Sequence, residues 1–252
     1  MRKLISGVIG LQACLLLTIS GLAQAQDKPP EVFTYATYFV CDVVAQKRSD
    51  EIFKQLYQPI DDAAVADGTI LAYGLYEHQT GGRWRRAMFS SANSVQALLD
   101  SQKKIDDQVK AKDKGGKLDD EYGKICNSHD DYIWHRVAGN AGTTKPGNAV
   151  FSTYYVCNSR EAQADALVTQ VYAAQYDKMV AEGKLTSWGW LEHVVGAQFR
   201  RLATFSAPDM KSLMEARASI VESQDNELGN IFTDICDSHA DYIWNVVASG
   251  TR

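Results

Sequence analysis

The sequence predicts an α+β protein: two tandem β-α-β-β-α-β units that close on each other as a pseudo-two-fold α/β barrel. Three observations predict it. The segment Ile125-Cys126-Asn127-Ser128-His129-Asp130-Asp131-Tyr132-Ile133-Trp134 returns as Ile235-Cys236-Asp237-Ser238-His239-Ala240-Asp241-Tyr242-Ile243-Trp244, and nine of thirteen positions from Ile125 to Val137 match those from Ile235 to Val247. Each copy opens on a β-branched and aromatic run that ends in cysteine, Thr37 to Cys41 and Thr153 to Cys157. Between these landmarks the apolar periodicities follow one another in the same order. Self-similarity on this scale marks a duplication of a whole supersecondary unit.

Taken in order, Thr34–Cys41 and Val150–Cys157 alternate as strands do. A helix follows in each half. Leu167, Val171, Ala174 and Met179 recur near helical spacing until Glu182-Gly183 stops them, and Ile52, Phe53, Leu56 and Ile60 do the same, with Pro59 expected to kink or end the helix. Two strands around a glycine-bearing turn come next, Ile70–His78 with Arg83–Phe89 and Leu185–Val194 with Phe199–Phe205. A second helix starts near Ser94 or Pro208, where Ser206-Ala207-Pro208-Asp209 resembles an N-cap with an early-helix proline. Val95, Leu98, Leu99, Ile105 and Val109 mark its buried stripe. The closing strands are Asp131–Val137 and Asp241–Val247. This order is the split βαβ, or ferredoxin-like, unit. Right-handed crossovers place its last strand antiparallel beside its first.

The first and last strands of each unit are apolar on both faces, as in Tyr38 and Val40 against Phe39 and Cys41. Helices cover one face only, so the other half is the simplest cover for the second face. The two-unit organisation, with strand three ending in Phe89-Ser90 or Phe205-Ser206, resembles the dimeric α/β-barrel superfamily. That superfamily includes antibiotic-biosynthesis-type and haem-degrading monooxygenases, stress-responsive barrel proteins and chlorite-dismutase-like haem proteins. The resemblance covers residues 33–248 and implies the fold. No catalytic motif of those families matches, so it assigns no active-site residue.

The chain divides into a signal peptide over 1–25, an extension over 26–32, a first repeat over 33–137, a Gly/Asn/Thr/Pro-rich linker over 138–149 and a second repeat over 150–248. Arg2 and Lys3 precede an apolar stretch to Leu22, and Ala23-Gln24-Ala25 is a small-x-small cleavage site. Leu11-Gln12-Ala13-Cys14 offers lipidation as the alternative, although the greasiest residues follow Cys14 instead of preceding it. No later stretch reaches the ~20 apolar residues that span a bilayer. An exported chain, periplasmic or secreted, is expected. Cleavage would leave 24 basic against 31 acidic residues, net charge −7, which disfavours nucleic acid as a partner. The expected assembly is a monomer containing its own pseudo-dimer.

Beyond Cys14, four cysteines permit three pairings. Duplication favours Cys41–Cys126 and Cys157–Cys236, each closing its own half, and an exported protein meets an oxidising compartment. A metal site is the rival, but no CxxC spacing occurs and no metal ligand is assigned.

Polar residues common to both halves are the candidates for chemistry. Glu77-His78 matches Glu192-His193, and Arg85-Arg86 matches Arg200-Arg201 across the hairpin. Strand alternation sends Glu and His of each pair to opposite faces. His78 and His193 are then candidate general bases or haem ligands, with Glu77 and Glu192 beside them. Equally, the glutamates can pair with cross-strand arginines as architecture. Ser128, His129 and Asp131, repeated as Ser238, His239 and Asp241, suggest a hydrolytic triad, but backbone neighbours cannot readily adopt triad geometry and no G-x-S-x-G elbow exists. They read as the turn into the final strand, with each His against Tyr132 or Tyr242. Trp84, Trp134, Trp188, Trp190 and Trp244 furnish an aromatic interior, in which Trp188, Trp190, Arg85 and Arg200 could contact a flat ligand. Three functions stay open: binding of a small or flat apolar ligand between the halves, a monooxygenase-type or haem-handling enzyme, and a structural or interaction module.

Overall fold

The computed structural model describes residues 31–140 and 144–252. The expected signal peptide with its Cys14, the extension as far as residue 30 and residues 141–143 of the expected linker lie outside the described residues.

Eight strands close into one barrel, in the order β1 (Phe33–Val40), β3 (Arg86–Ala92), β2 (Ala72–Gly81), β8 (Ser238–Thr251), β5 (Ala149–Val156), β7 (Arg201–Ala207), β6 (Ser187–Val195) and β4 (Ser128–Gly139), which returns to β1. Every pairing is antiparallel. As predicted, the last strand of each half lies against its first, with Thr37 opposite Asp131 and Thr153 opposite Asp241. The halves meet along two seams, β2 with β8 and β4 with β6. Closure leaves no edge unpaired among the described strands.

The seams also lengthen the strands. β4 runs on to Gly139, opposite Gly189, and β8 to Thr251, opposite Ala72, so Ala138 and Gly139 belong to a strand and not to the linker. Gly139 has φ of 129°, and a Cβ there would stand 2.4 Å from the Trp188 carbonyl oxygen. Each seam carries two register shifts, at Leu75/Tyr76 and His78/Thr80 in one and at Ile133/Trp134 and Arg136/Ala138 in the other. Such bulges bend strands and re-aim side chains.

Helices cover the outside. In the first half α1 (Gln46–Ile52), a π-helical turn (Phe53–Tyr57) and α2 (Gln58–Ala66) form one continuous rod, followed after the hairpin by α3 (Val95–Lys112) and α4 (Lys117–Ile125). The second half repeats this with α5 (Glu161–Leu167), a π-helical turn (Val168–Tyr172), α6 (Ala173–Ala181), α7 (Met210–Gln224) and α8 (Glu227–Ile235). Pro59 neither ends nor breaks the rod, because it falls at the start of α2, where the π turn has already shifted the hydrogen-bond ladder. The second rod makes the same turn without a proline, so the shift belongs to the fold. The N-cap of α7 is Asp209, which accepts from the Ser212 amide at 2.8 Å, and not Ser206, which lies in β7. Ser94 caps α3 in the same way through the Ala97 amide.

The sulfurs of Cys41 and Cys126 stand 2.08 Å apart and those of Cys157 and Cys236 2.05 Å apart, so each half is closed on itself. Both pairs join the end of a first strand to the approach of a fourth. Among the described residues no helix is long and apolar enough to cross a membrane.

Candidate functional site

Alternation along the strands divides side chains between the barrel interior and the layer beneath the helices. The interior core contains Ala36, Tyr38, Trp84, Tyr132, Trp134, Tyr154, Phe199, Leu202, Tyr242 and Trp244. One end is filled by rings: Trp84 stacks between Tyr38, at 4.4 Å, and Tyr242, at 4.9 Å, and Phe199 lies edge-on at 6.0 Å. Arg83 and the Trp84 indole N–H both bind Asp130 at the rim of this end.

Beyond the plug the interior holds a cavity of about 160 Å³. Its walls include Tyr38, Tyr76 and Trp134 from the first half and Tyr154, Leu202 and Thr204 from the second. Positions that correspond between the halves differ here: Thr34 against Val150, Ala36 against Ser152, Tyr76 against Leu191, Phe89 against Thr204. The space is therefore one asymmetric chamber and not two equivalent sites. The Trp134 indole N–H donates to the Tyr38 hydroxyl at 3.2 Å. Burial pushes the Tyr38, Tyr76 and Tyr154 phenols upward, so all three stay protonated and able to donate at neutral pH. The Ser206 hydroxyl is buried with no partner, and Ser206 is also part of the lining. Unsatisfied buried polar atoms are uncommon enough that a bonding partner is expected for it.

The histidines sit at the plugged end. His78 lies edge-on to Tyr242 and Trp244, and His193 edge-on to Tyr132 and Trp134. Arg85 reaches the His78 Nδ1 at 2.9 Å, and Arg200 reaches the His193 Nδ1 at 3.0 Å. A guanidinium can only donate, so each Nδ1 accepts. Burial, with Arg85 beside it, holds His78 below its ordinary pKa. Neither histidine lines the 160 Å³ cavity.

Glu77 and Glu192 face the helices. Glu77 stands 3.9 Å from Arg86, and Glu192 stands 4.0 Å from Arg201 and 2.7 Å from His135. The buried arginines are structural pins. Arg86 makes a two-pronged bond to Asp50 at 2.6 and 2.8 Å, and Arg201 makes one to Asp165 at 2.7 Å on both prongs, with Glu161 at 2.9 Å.

Trp188 and Trp190 do not reach the space between the halves. They lie beneath the second half's helices, with indole N–H groups bound to Asp177 and Asp165 at 2.8 Å each. The Gly189 they flank has the opposite facing, which puts both on the outer side. Nor are Phe89-Ser90 and Phe205-Ser206 equivalent: Phe89 pairs with Ala36 and packs inside, whereas Phe205 pairs with Phe151 and packs under the helices. The resemblance between those dipeptides is out of register by one residue, which in a strand reverses the face. The repeated Ser-His-x-Asp segments enter β4 and β8. Asp131 accepts from the Thr37 hydroxyl at 2.8 Å, while His129 packs against Phe39 and His239 against Tyr155, not against Tyr132 and Tyr242, which point inward. Among the described residues no three His, Cys, Asp or Glu side chains are grouped to hold a metal ion.

Haem does not fit these residues. Each candidate histidine has its Nδ1 bound by an arginine, the His193 Nε2 is buried away from open space, and neither histidine lines the interior chamber. The sequence reading missed the three cavity tyrosines. Tyr38 and Tyr154 could have been found from alternation, since both occupy the inward positions of strands apolar on both faces.

No family model and no curated protein matches the sequence. Solved structures do match the fold. A candidate monooxygenase from Lactobacillus acidophilus NCFM superposes with a TM-score of 0.59 at 8% identity, over 88% of this chain and 96% of that one. An anthrone oxidase-like protein gives 0.53 at 11% identity, over 89% and 94%. A chlorite dismutase variant from Candidatus Nitrospira defluvii gives 0.50 at 7%, over 85% and 91%. At such identities the likeness shows the fold alone, that of the dimeric α/β-barrel superfamily.

Proposed function

We propose that this chain, with the fold of the dimeric α/β barrels, is a duplicated ferredoxin-like protein that binds a small single-ring ligand inside its barrel. The observation that carries this is the asymmetric 160 Å³ chamber walled by Tyr38, Tyr76, Trp134 and Tyr154. An apolar cavity of ~150 Å³ accommodates one benzene ring. The three phenols and the unpartnered Ser206 hydroxyl add polar contacts for a ring bearing a hydroxyl or carbonyl. The duplication provides one site per chain, and the seams close it without a second copy. The start of the sequence and the two disulfides support export, with cleavage after Ala25, and an acidic surface supports a small-molecule partner over nucleic acid.

A monooxygenase, as the Lactobacillus fold neighbour is named, is the second reading. His78, held below its ordinary pKa by burial and Arg85, would serve as its base once Arg85 releases Nδ1. Its distance from the chamber lining sets it behind the binding reading.

Titration of the oxidised protein with p-cresol and benzaldehyde, followed by tryptophan fluorescence and calorimetry, tests the proposal. Saturable one-to-one binding is expected, abolished by Ala36→Leu, which fills the chamber. No saturable binding, or binding unchanged in Ala36→Leu, would sink it. Ligand-dependent oxygen consumption lost in His78→Gln would favour the enzyme instead.

A further inference from the structure

The first half contains a second cavity, outside the barrel wall. It lies between the helix layer and the outer face of the sheet, with a volume of about 90 Å³. Tyr35, Phe39, Phe53 and Tyr57 contribute rings to its lining, and Asp61 of α2 contributes a carboxylate. Asp61 is only 8% exposed. Among the described residues it accepts no hydrogen bond and forms no ion pair, and the charge that acts on it is another acid, Asp62. An ionised carboxylate in such surroundings is costly unless a cation or donors offset it.

The second half shows what the equivalent place needs. Tyr176 of α6 stands where Asp61 stands, its hydroxyl accepts from Gln224 at 2.9 Å, and the remaining space is about 40 Å³. Arg217 of α7 stands where Gln102 stands in α3. Its guanidinium lies 4.2 Å over the Phe151 ring, the counterpart of Tyr35. The second half thus carries its own cation against this aromatic wall. The first half has a neutral Gln102, occupied with the Ser90 hydroxyl at 2.8 Å, and an unmatched carboxylate instead.

We propose that this first-half pocket is a binding site for a small alkylammonium ion, held by the Asp61 carboxylate within the ring wall. Aromatic faces attract such cations, most strongly when desolvated. Ninety cubic ångströms is several times the ~10–15 Å³ that a single water requires, which suits a methylated ammonium. The titratable groups around the pocket reinforce a positive guest. Asp131 of β4 and Asp106 of α3 act on Tyr35 of β1, Tyr57 of the π turn bonds to Asp119 of α4, and Asp62 adjoins Asp61 on α2 and accepts from Tyr73 of β2. Lys103 and Lys110 act on Asp106 from the exposed side of α3, and His129 lies 3.3 Å from Asp131. Burial, with Asp62 beside it, pushes the Asp61 carboxyl up to about 7. The ion should therefore bind better as pH rises through that value.

Calorimetric titration of the oxidised full chain with tetramethylammonium and methylammonium chloride, at constant ionic strength and at pH 5.5 and 8.5, tests this. Expected are saturable one-to-one binding at pH 8.5, affinity at least tenfold weaker at pH 5.5, and loss of binding in Asp61→Asn. Gln102→Arg should also abolish binding, by supplying the internal cation that the second half has, while far-ultraviolet dichroism stays native. Ala36→Leu, inside the barrel, should leave it unchanged, which separates this site from the proposed ligand chamber. Absence of saturable binding at pH 8.5, or equal affinity in Asp61→Asn, would overturn the proposal.

Discussion

Neutralising Asp50 should cost far more than neutralising Asp165, although the two carboxylates occupy corresponding places in the two halves. Arg86 and Arg201 have side chains 3% and 5% exposed, each anchored to the first helix of its half. In Asp50→Asn, Arg86 keeps Gln46 and main-chain carbonyls, but its nearest remaining carboxylate is Glu77 at 3.9 Å. That strands a buried cation, a change worth about 3–5 kcal/mol. In Asp165→Asn, Arg201 retains Glu161 at 2.9 Å. What is lost is then closer to one charged hydrogen bond, about 1.5–3 kcal/mol. At about 2–4 °C per kcal/mol for a chain of this size, Asp50→Asn should lower Tm by roughly 6–20 °C, and Asp165→Asn by clearly less. Urea unfolding and calorimetry of the oxidised protein at pH 7 measure both. Replacing Asp50 and Arg86 together by Leu and Met should recover most of the loss, because no charge is left buried alone. Equal losses, or a larger one for Asp165→Asn, would refute the account of the pins.

Further outcomes follow from the same structure. Asp61 has a folded-state pKa of about 7 against an ordinary 3.8, so its contribution is intact below pH 3.8 and is lost as pH rises through about 7. Asp61→Asn should flatten that decline and gain up to roughly 4 kcal/mol at pH 8.5, read from urea unfolding across pH. His78 has the opposite sign: its pKa is depressed in the fold, so its contribution is present above about pH 6.5 and is lost as pH falls below that. His78→Gln should remove this acid-side loss, and an unchanged profile would contradict the burial of the neutral ring. Gly139→Ala must place a Cβ 2.4 Å from a carbonyl at a left-handed φ, and should cost about 1–3 kcal/mol at the β4–β6 seam, seen as faster amide exchange along that pair. Non-reducing peptide mapping should recover Cys41 with Cys126 and Cys157 with Cys236. Removing either bond opens a loop that the chain-entropy model values at up to about 4.5 kcal/mol.

Much of the candidate-site reading depended on which face a side chain takes. Alternation correctly separates His78 from Glu77, because both lie on one regular stretch of strand. It misleads for Trp188 and Trp190, since an aromatic run around Gly189 carries no mark of which side is barrel and which is helix. Asp61 was legible in principle: it completes the helical row Phe53, Tyr57, Asp61, Val65, where an acid among apolar residues is conspicuous.

The sequence by itself determined the order of the strands and main helices, the antiparallel last strand beside each first and the cysteine partners, but not the extra helices α4 and α8, because these readings rest on short periodicities and on an internal copy that can be compared with itself. Only the tertiary structure decided what the barrel encloses. The seams between β2 and β8 and between β4 and β6 join residues far apart in the chain, and register shifts at four places set which side chains meet. Volume left over between packed rings is a difference between large opposing terms, and no local run of residues marks the size of the aromatic chamber or of the Asp61 pocket. The Asp61 pocket lies where the second half places Tyr176 and Arg217.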